Sequence, residues 1–174
     1  YNTWESNIRG TYTILDSMLK SKKIKSIIVA SSDKSYGTYP KNKLPYKEDY
    51  PSKAIYPYDV SKACADMITR SYSSDLFKLP IIVTRFSNIY GNDSSLVAPT
   101  NRRILNKFIL QMGLTNEVSV VGNGKFYRNY LHVTDAARMI IYLLKQKRFN
   151  QSIYLACSRE NIFFMDAVKL LVEM

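Results

Sequence analysis

Ser26-Ile27-Ile28-Val29-Ala30-Ser31-Ser32-Asp33-Lys34-Ser35-Tyr36-Gly37 is the stretch from which the fold can be read. Its first half is a short β-branched run with the character of a strand buried on both faces, as in a parallel sheet. Its second half turns abruptly polar. In open α/β sheets, ligands bind at the carboxyl ends of the strands, so Ser32, Asp33 and Lys34 stand where a site is expected. Upstream, Trp4, Ile8, Tyr12, Leu15 and Leu19 recur at helical spacing and predict an amphipathic helix over residues 4–21. Downstream, a polar loop with Pro40, Pro45 and Pro51 leads to Pro57. Pro57 opens a second helix, to about residue 76, at a position where its missing N–H costs little.

Pro80-Ile81-Ile82-Val83-Thr84 predicts the next strand. It exits into Arg85-Phe86-Ser87-Asn88-Ile89-Tyr90-Gly91, again a polar cluster at a carboxyl end. Beyond residue 87 the expected elements shorten. They are a helix over 103–112 and a strand over 118–121 ending in the turn Gly122-Asn123-Gly124. A helix over 133–144 follows, with Ala136, Ala137, Ile140, Ile141 and Leu144 inward, then a strand over 152–156 and a closing helix over 164–174. This alternation predicts an α/β protein. Residues 1–91 are expected to carry the sheet, and residues 92–174 a small lobe interleaved with it.

The 174 residues are 46% hydrophobic and 22% charged, which fits a globular domain and not a disordered chain. No apolar run approaches the roughly 20 residues of a membrane span, and no signal peptide is evident, so a cytoplasmic protein without membrane partners is expected. The sequence starts at Tyr1, not Met, and its last helical pattern has no cap. The chain therefore reads as a piece cut from a longer one. Cys64 and Cys157 have no metal-like spacing and sit among apolar neighbours, so both are expected to be buried, reduced thiols with no metal. The net charge of +11 and pI of about 9.6 suit either nucleic acid or an anionic small substrate. The lysines fall in scattered runs at helix ends and loops, which favours solvated surface over a nucleic-acid face.

Tyr58-Asp59-Val60-Ser61-Lys62 carries the strongest chemical signal. Tyrosine and lysine four apart on a helix share one face. A free phenol titrates near about 10, and an ammonium beside it favours the phenolate needed for base catalysis. With 14 tyrosines in the chain such a pair also arises by chance, as an exposed helix pair. What raises its weight is the order of surrounding motifs: Asn7-Ile8-Arg9-Gly10-Thr11, Ser31-Ser32, Tyr58 to Lys62, Arg85 to Gly91, Gly122-Asn123-Gly124 with Arg128-Asn129-Tyr130-Leu131-His132-Val133, and Tyr154-Leu155-Ala156.

In that order the motifs resemble an extended short-chain dehydrogenase/reductase of the NAD-dependent nucleotide-sugar epimerase/dehydratase family, over almost the whole chain. The resemblance implies a partial Rossmann-like parallel sheet, with residues 1–91 as the C-terminal half of the NAD domain and 92–174 as the substrate-binding lobe. It implies NAD as cofactor and a nucleotide-diphosphate sugar as substrate. It implies that Ser32, Tyr58 and Lys62 form the hydride-transfer triad, that Tyr58, Lys62 and Ser31 face the cofactor, and that Asn88 and Arg128 contact the substrate. Arg85 is expected as a structural residue at a strand end, and His132 as a core or strand residue.

Asp33 and Lys34, directly after the serine, are where 4-epimerases of this group usually carry small or neutral residues. An acid–base pair there is similar to that of the 4,6-dehydratases, and Asp-Lys resembles the pair of CDP-glucose 4,6-dehydratases most. The alternatives are a 4-epimerase or reductase, a surface Asp33–Lys34 ion pair, or a non-catalytic truncated homologue acting as an interaction module. The family also implies a homodimer through helices 4–21 and 57–76, with Tyr12, Met67 and Tyr72 as anchors. Three departures stand out. The family's N-terminal Gly-x-x-Gly-x-x-Gly turn would lie before residue 1, so this piece alone is expected to bind NAD poorly and to be inactive. The usual Asp after Arg128 is Asn129, and the usual Tyr-Asn-x-Gly is Tyr154-Leu155-Ala156-Cys157.

Overall fold

The computed structural model of the chain describes residues 2–21, 23–91, 104–120, 122–146, 149 and 153–173. Arg103, Val121, Ser152 and Met174, at the ends of expected elements, lie outside these. Two compact units emerge: residues 1–86 with 138–156, and residues 87–137 with 157–174.

The first unit holds a parallel sheet of order β1-β2-β5, built from β1 (Ile27–Ser32), β2 (Ile81–Phe86) and β5 (Ile153–Ala156). Two helical stretches accompany it. One is α1 (Asn2–Trp4), a π-helical turn over Glu5–Arg9, and α2 (Gly10–Leu19); the other is α3 (Pro57–Tyr72). β2 is central and buried along its whole length. β1 is not. Ile28 and Val29 are half-buried and Ala30 is exposed, because β1 pairs with β2 alone among the described strands. The two-face burial expected of Ser26–Ala30 thus belongs to β2. The core joins Leu15, Ile27, Leu79 and Ile81, with Met18, Ile68 and Tyr72 against it. Each fully buried aliphatic side chain contributes about 1.5–3 kcal/mol.

The first helix needs correcting. Its apolar stripe delivers one buried side chain, Leu15, while Trp4, Tyr12 and Leu19 remain 37–39% exposed. It ends at Leu19, and α3 ends at Tyr72, both short of the expected limits. Pro57 does open α3, with Tyr56 before it in extended backbone, as a residue preceding proline prefers.

The second unit is a three-stranded sheet of order β3-β4-β6, from β3 (Asn88–Tyr90), β4 (Tyr127–His132) and β6 (Asn161–Phe163). β3 and β4 are parallel; β4 and β6 are antiparallel. Its helices are α4 (Ile104–Thr115) and α6 (Phe164–Val172). None of its three strands matches an expected one. Val118 and Val120, expected in a strand, are not in one; they pack onto Phe108, Phe164 and Val168. α5 (Val133–Gln146) runs through both units. Its inward face is Ala136 and Leu143, seven apart, with Ile140 and Leu144 half-buried; Ala137 and Ile141 are exposed. Cys64 is half-buried and Cys157 exposed, not buried as expected. Cys157 follows directly on the last residue of β5, beyond the sheet's covered interior.

Candidate active site

The site in the first unit begins where β1 ends. Ser31 is buried, and its hydroxyl has no hydrogen-bond partner among the described residues. Ser32, in extended backbone, caps the 3-10 turn Asp33–Tyr36. Its Oγ accepts from the Lys34 N–H and donates to Asp33 Oδ1, both at 3.2 Å. Ser35 donates to Ser32 O at 2.7 Å, closing the turn from inside. Asp33 is half-buried and Lys34 exposed at its rim.

This turn packs against α3. Tyr58 stands in the first turn of α3, 44% exposed, and Lys62 Nζ lies 5.9 Å from its ring centroid. The expected pairing on one helix face is therefore present, beside the turn that carries Ser32, Asp33 and Lys34.

Beneath lies a group of residues whose linking role the motifs did not mark. Arg85 Nε donates to Asp66 Oδ2 at 2.6 Å, with both side chains about 95% buried or more. The Arg85 guanidinium also lies over the Tyr36 ring, 4.2 Å from its centroid. Arg85 is thus the structural residue expected, and it ties β2 to both α3 and the 33–36 turn. Burial pushes the Tyr36 phenol up from its ordinary range, and the Arg85 charge offsets part of that. Ser61, fully buried, accepts from Asn7 Nδ2 at 2.9 Å and donates to Tyr58 O at 2.7 Å. It fastens the start of α3 to the Asn7-Ile8-Arg9-Gly10-Thr11 segment. A sequence signal existed for Ser61, which follows Tyr58 by three on the same helix; Asp66 carried none that marks it as the partner of Arg85.

The second unit holds the other expected residues. Asn88 pairs with Tyr130 in register, and its Nδ2 donates to Asn129 O at 3.0 Å. The Arg128 guanidinium lies 4.4 Å from the Phe126 ring centroid and donates to Tyr127 O. Asn88 and Arg128 are thus brought onto adjacent strands. His132 lies in β4, its Nδ1 2.6 Å from Thr134 Oγ1, which is the strand position expected. A cavity of about 570 Å³ in this unit is lined by Tyr90, Leu105, Tyr130, Ser158, Arg159 and Glu160, among others.

A Ser-capped strand end beside a Tyr-x-x-x-Lys helix is an arrangement for moving a proton to or from a hydroxyl. The model of the NAD dependent epimerase/dehydratase family matches residues 1–157. The chain belongs to this family. It is 32% identical over 151 residues to the dTDP-D-glucose 4,6-dehydratase of Dictyostelium discoideum, covering 82% of this chain and 33% of that protein. Its fold is similar to that of the dTDP-glucose 4,6-dehydratase of Bacillus anthracis in complex with NAD, with a TM-score of 0.83 and 28% identity. That match covers 98% of this chain and 52% of the other. It is equally similar in fold to the UDP-glucose 4-epimerase of Thermotoga maritima with UDP-glucose, at a TM-score of 0.84 and 24% identity. The chain thus spans about a third of the curated relative and about half of the solved structures.

The residues present fit the nicotinamide end of NAD: a Tyr–Lys pair on one helix face, and a buried Ser31 hydroxyl with no partner among the described residues. None of the six glycines forms the Gly-x-x-Gly-x-x-Gly turn that cradles a pyrophosphate. Among the described residues, no group of side chains could hold a metal ion, and no helix is long and apolar enough to cross a membrane.

Proposed function

We propose that this chain is the catalytic portion of an NAD-dependent nucleotide-sugar 4,6-dehydratase acting on a nucleotide-diphosphate sugar in the cytoplasm. The observation that carries the reading is the Asp33–Lys34 pair, in the turn capped by Ser32 and packed against the helix bearing Tyr58 and Lys62. NAD, when bound, supplies the acceptor for hydride from C4 of the sugar. Tyr58 takes the proton of the 4-hydroxyl. Lys62 favours the phenolate and holds the nicotinamide ribose, Ser32 hydrogen-bonds the reacting oxygen, and Ser31 faces the cofactor. Oxidation at C4 acidifies the C5 proton. Lys34 removes it as Asp33 protonates the departing 6-hydroxyl, so water leaves across C5–C6; the hydride taken from C4 then returns to C6 and a proton to C5, which gives the 4-keto-6-deoxy sugar and restores the oxidised cofactor. Asn88 and Arg128 contact the diphosphate, where a guanidinium fork matches phosphate oxygens. In this division of labour residues 1–86 with 138–156 serve the cofactor and the chemistry, and residues 87–137 with 157–174, which carry Asn88 and Arg128, serve the nucleotide end of the substrate. The chain acts as a homodimer through the helical stretch 2–19 and α3.

The exposure of Lys34 favours the competing 4-epimerase or reductase reading, in which Asp33 and Lys34 are structural. One experiment separates them, in a protein that joins these residues to a cofactor-binding segment. Tyr58→Phe is expected to abolish oxidation at C4, since it leaves no oxygen to take the proton. Asp33→Asn with Lys34→Ala is expected to leave that oxidation intact and stall water loss, each change costing about 10²–10⁴-fold. The trace is reduced cofactor building up without a 4-keto-6-deoxy sugar. Elimination at the unaltered rate sinks the dehydratase reading and puts the epimerase ahead.

A further inference from the structure

Asn129 carries more hydrogen bonds than any role assigned above requires. Its Oδ1 accepts from Ser87 Oγ and from the Ser158 N–H, both at 2.9 Å. Its Nδ2 donates to Ser158 O at 2.9 Å and Glu160 O at 3.0 Å, with Asn161 Oδ1 at 3.3 Å. Its backbone oxygen accepts from Asn88 Nδ2. One side chain thus ties the start of β3, the middle of β4 and the 158–161 turn together. Ser158 and Glu160 of that turn also line the unit's cavity.

The donor half of this pattern needs an amide. A carboxylate in the same place would set a bare oxygen against the Ser158 and Glu160 carbonyls, with no hydrogen between them. It would also add a negative charge beside Arg128, whose contacts among the described residues include the Phe126 ring and the Tyr127 carbonyl. We infer that Asn129 is a positioning residue for the diphosphate end of the substrate. It fixes Asn88 and the 158–161 turn in one geometry without adding a negative charge beside Arg128. The inference rests on the nucleotide-sugar reading above.

Asn129→Asp tests the amide. The charged and titratable groups around position 129 are Arg128, Tyr127 and Tyr130 on its own strand, and Arg159 and Glu160 on the turn; β3 presents the neutral Ser87 and Asn88, and β6 Asn161. The arginines and the two donors on Oδ1 favour the carboxylate, but its other oxygen faces two carbonyls at 2.9–3.0 Å with no hydrogen between, and a single proton there restores a donor while Oδ1 keeps both of its own. The introduced acid is therefore protonated more readily in the folded chain than in the unfolded one. Its folded pKa stands above the unfolded value, so stability is kept at low pH and lost as pH rises through the folded value. Unfolding by urea from pH 4.5 to 8 should show Asn129→Asp falling progressively behind the unaltered chain as pH rises. A constant difference across that range, or none, overturns the requirement for an amide.

Asn129→Ser tests the positioning without a charge and keeps the question open to an answer if the Asp variant fails to fold. Calorimetry of UDP, CDP, dTDP and GDP binding should show the favoured nucleotide held about tenfold more weakly by the Ser variant, whose circular dichroism is unchanged. Equal affinity in the two proteins overturns the positioning role while leaving the substrate reading intact. If the unaltered chain binds none of the four, the nucleotide-sugar reading itself falls and takes this role with it.

Discussion

Arg85 is the residue on which two parts of the first unit depend. Its guanidinium is inside the fold, joined to Asp66 of α3 and laid over Tyr36 of the turn that carries Asp33 and Lys34. A buried ion pair of this kind gives little net stability, because desolvation offsets the attraction; breaking it is what costs. Arg85→Met should destabilise the fold by about 3–5 kcal/mol, because it leaves the Asp66 carboxylate buried and uncompensated. Arg85→Met with Asp66→Leu should recover most of that loss. Chemical unfolding of the two variants checks both statements, and equal stability of the single and double variants would refute the argument. This pair was only half legible in the sequence. Arg85 stood in a motif, but Asp66 looked like any polar residue on an amphipathic helix. Nothing in one-dimensional spacing says that a residue 19 positions upstream is its partner.

Gly37 sets the geometry of the element that matters most, the turn from Asp33 to Tyr36. It sits at φ 75° and ψ −149°, a region open to glycine and strained for any other residue. A Cβ there would collide with the backbone of Lys53, which bridges to Gly37 as a short parallel pair. Gly37→Ala should therefore cost at least about 1–3 kcal/mol in backbone strain, and the collision adds to it. The thermal midpoint should fall accordingly, whereas the same substitution at Gly113, which has open space around it, should change little. Elements with strong local signals were readable from sequence: β2 from its β-branched run and α3 from Pro57; Ser32 was placed at a strand's carboxyl end, but its capping of the 33–36 turn was not read. β3, β4 and β6 were not. Each has six residues or fewer, β4 reads Tyr-Arg-Asn-Tyr-Leu-His with no clean alternation, and all three exist through pairing with segments distant in sequence. The inward face of α5 was misphased for a related reason. A stripe of five apolar residues is wider than the strip that its neighbours cover.

At the scale of the whole molecule, the first unit leaves apolar side chains uncovered on both helical stretches. Ile14 is 57% exposed and Met67 60%, and Trp4, Tyr12 and Leu19 are 37–39% exposed. Tyr72, expected as an anchor of a dimer, is instead half-buried, bonded through its hydroxyl to Asp16 and stacked on Phe77. A two-fold dimer would bury the exposed set against its own copy. Sedimentation at micromolar concentration should give the mass of a pair, and Ile14→Arg with Met67→Glu should return it to a single chain with circular dichroism unchanged. Two chains of net charge +11 repel, so added salt should strengthen the pair, the opposite of its effect on binding to nucleic acid. A monomer at every salt concentration would count against the dimer.

The chain passes between its two units after Phe86, after Ala137 and after Ala156, and the middle passage lies within α5. Neither unit is therefore a cassette. A chimera that borrowed the 87–137 and 157–174 segments from a relative would need three junctions, one of them through a continuous helix whose two ends serve different cores. New specificity in such an architecture is reached most readily by exchanging side chains where they stand, and not by grafting a foreign module.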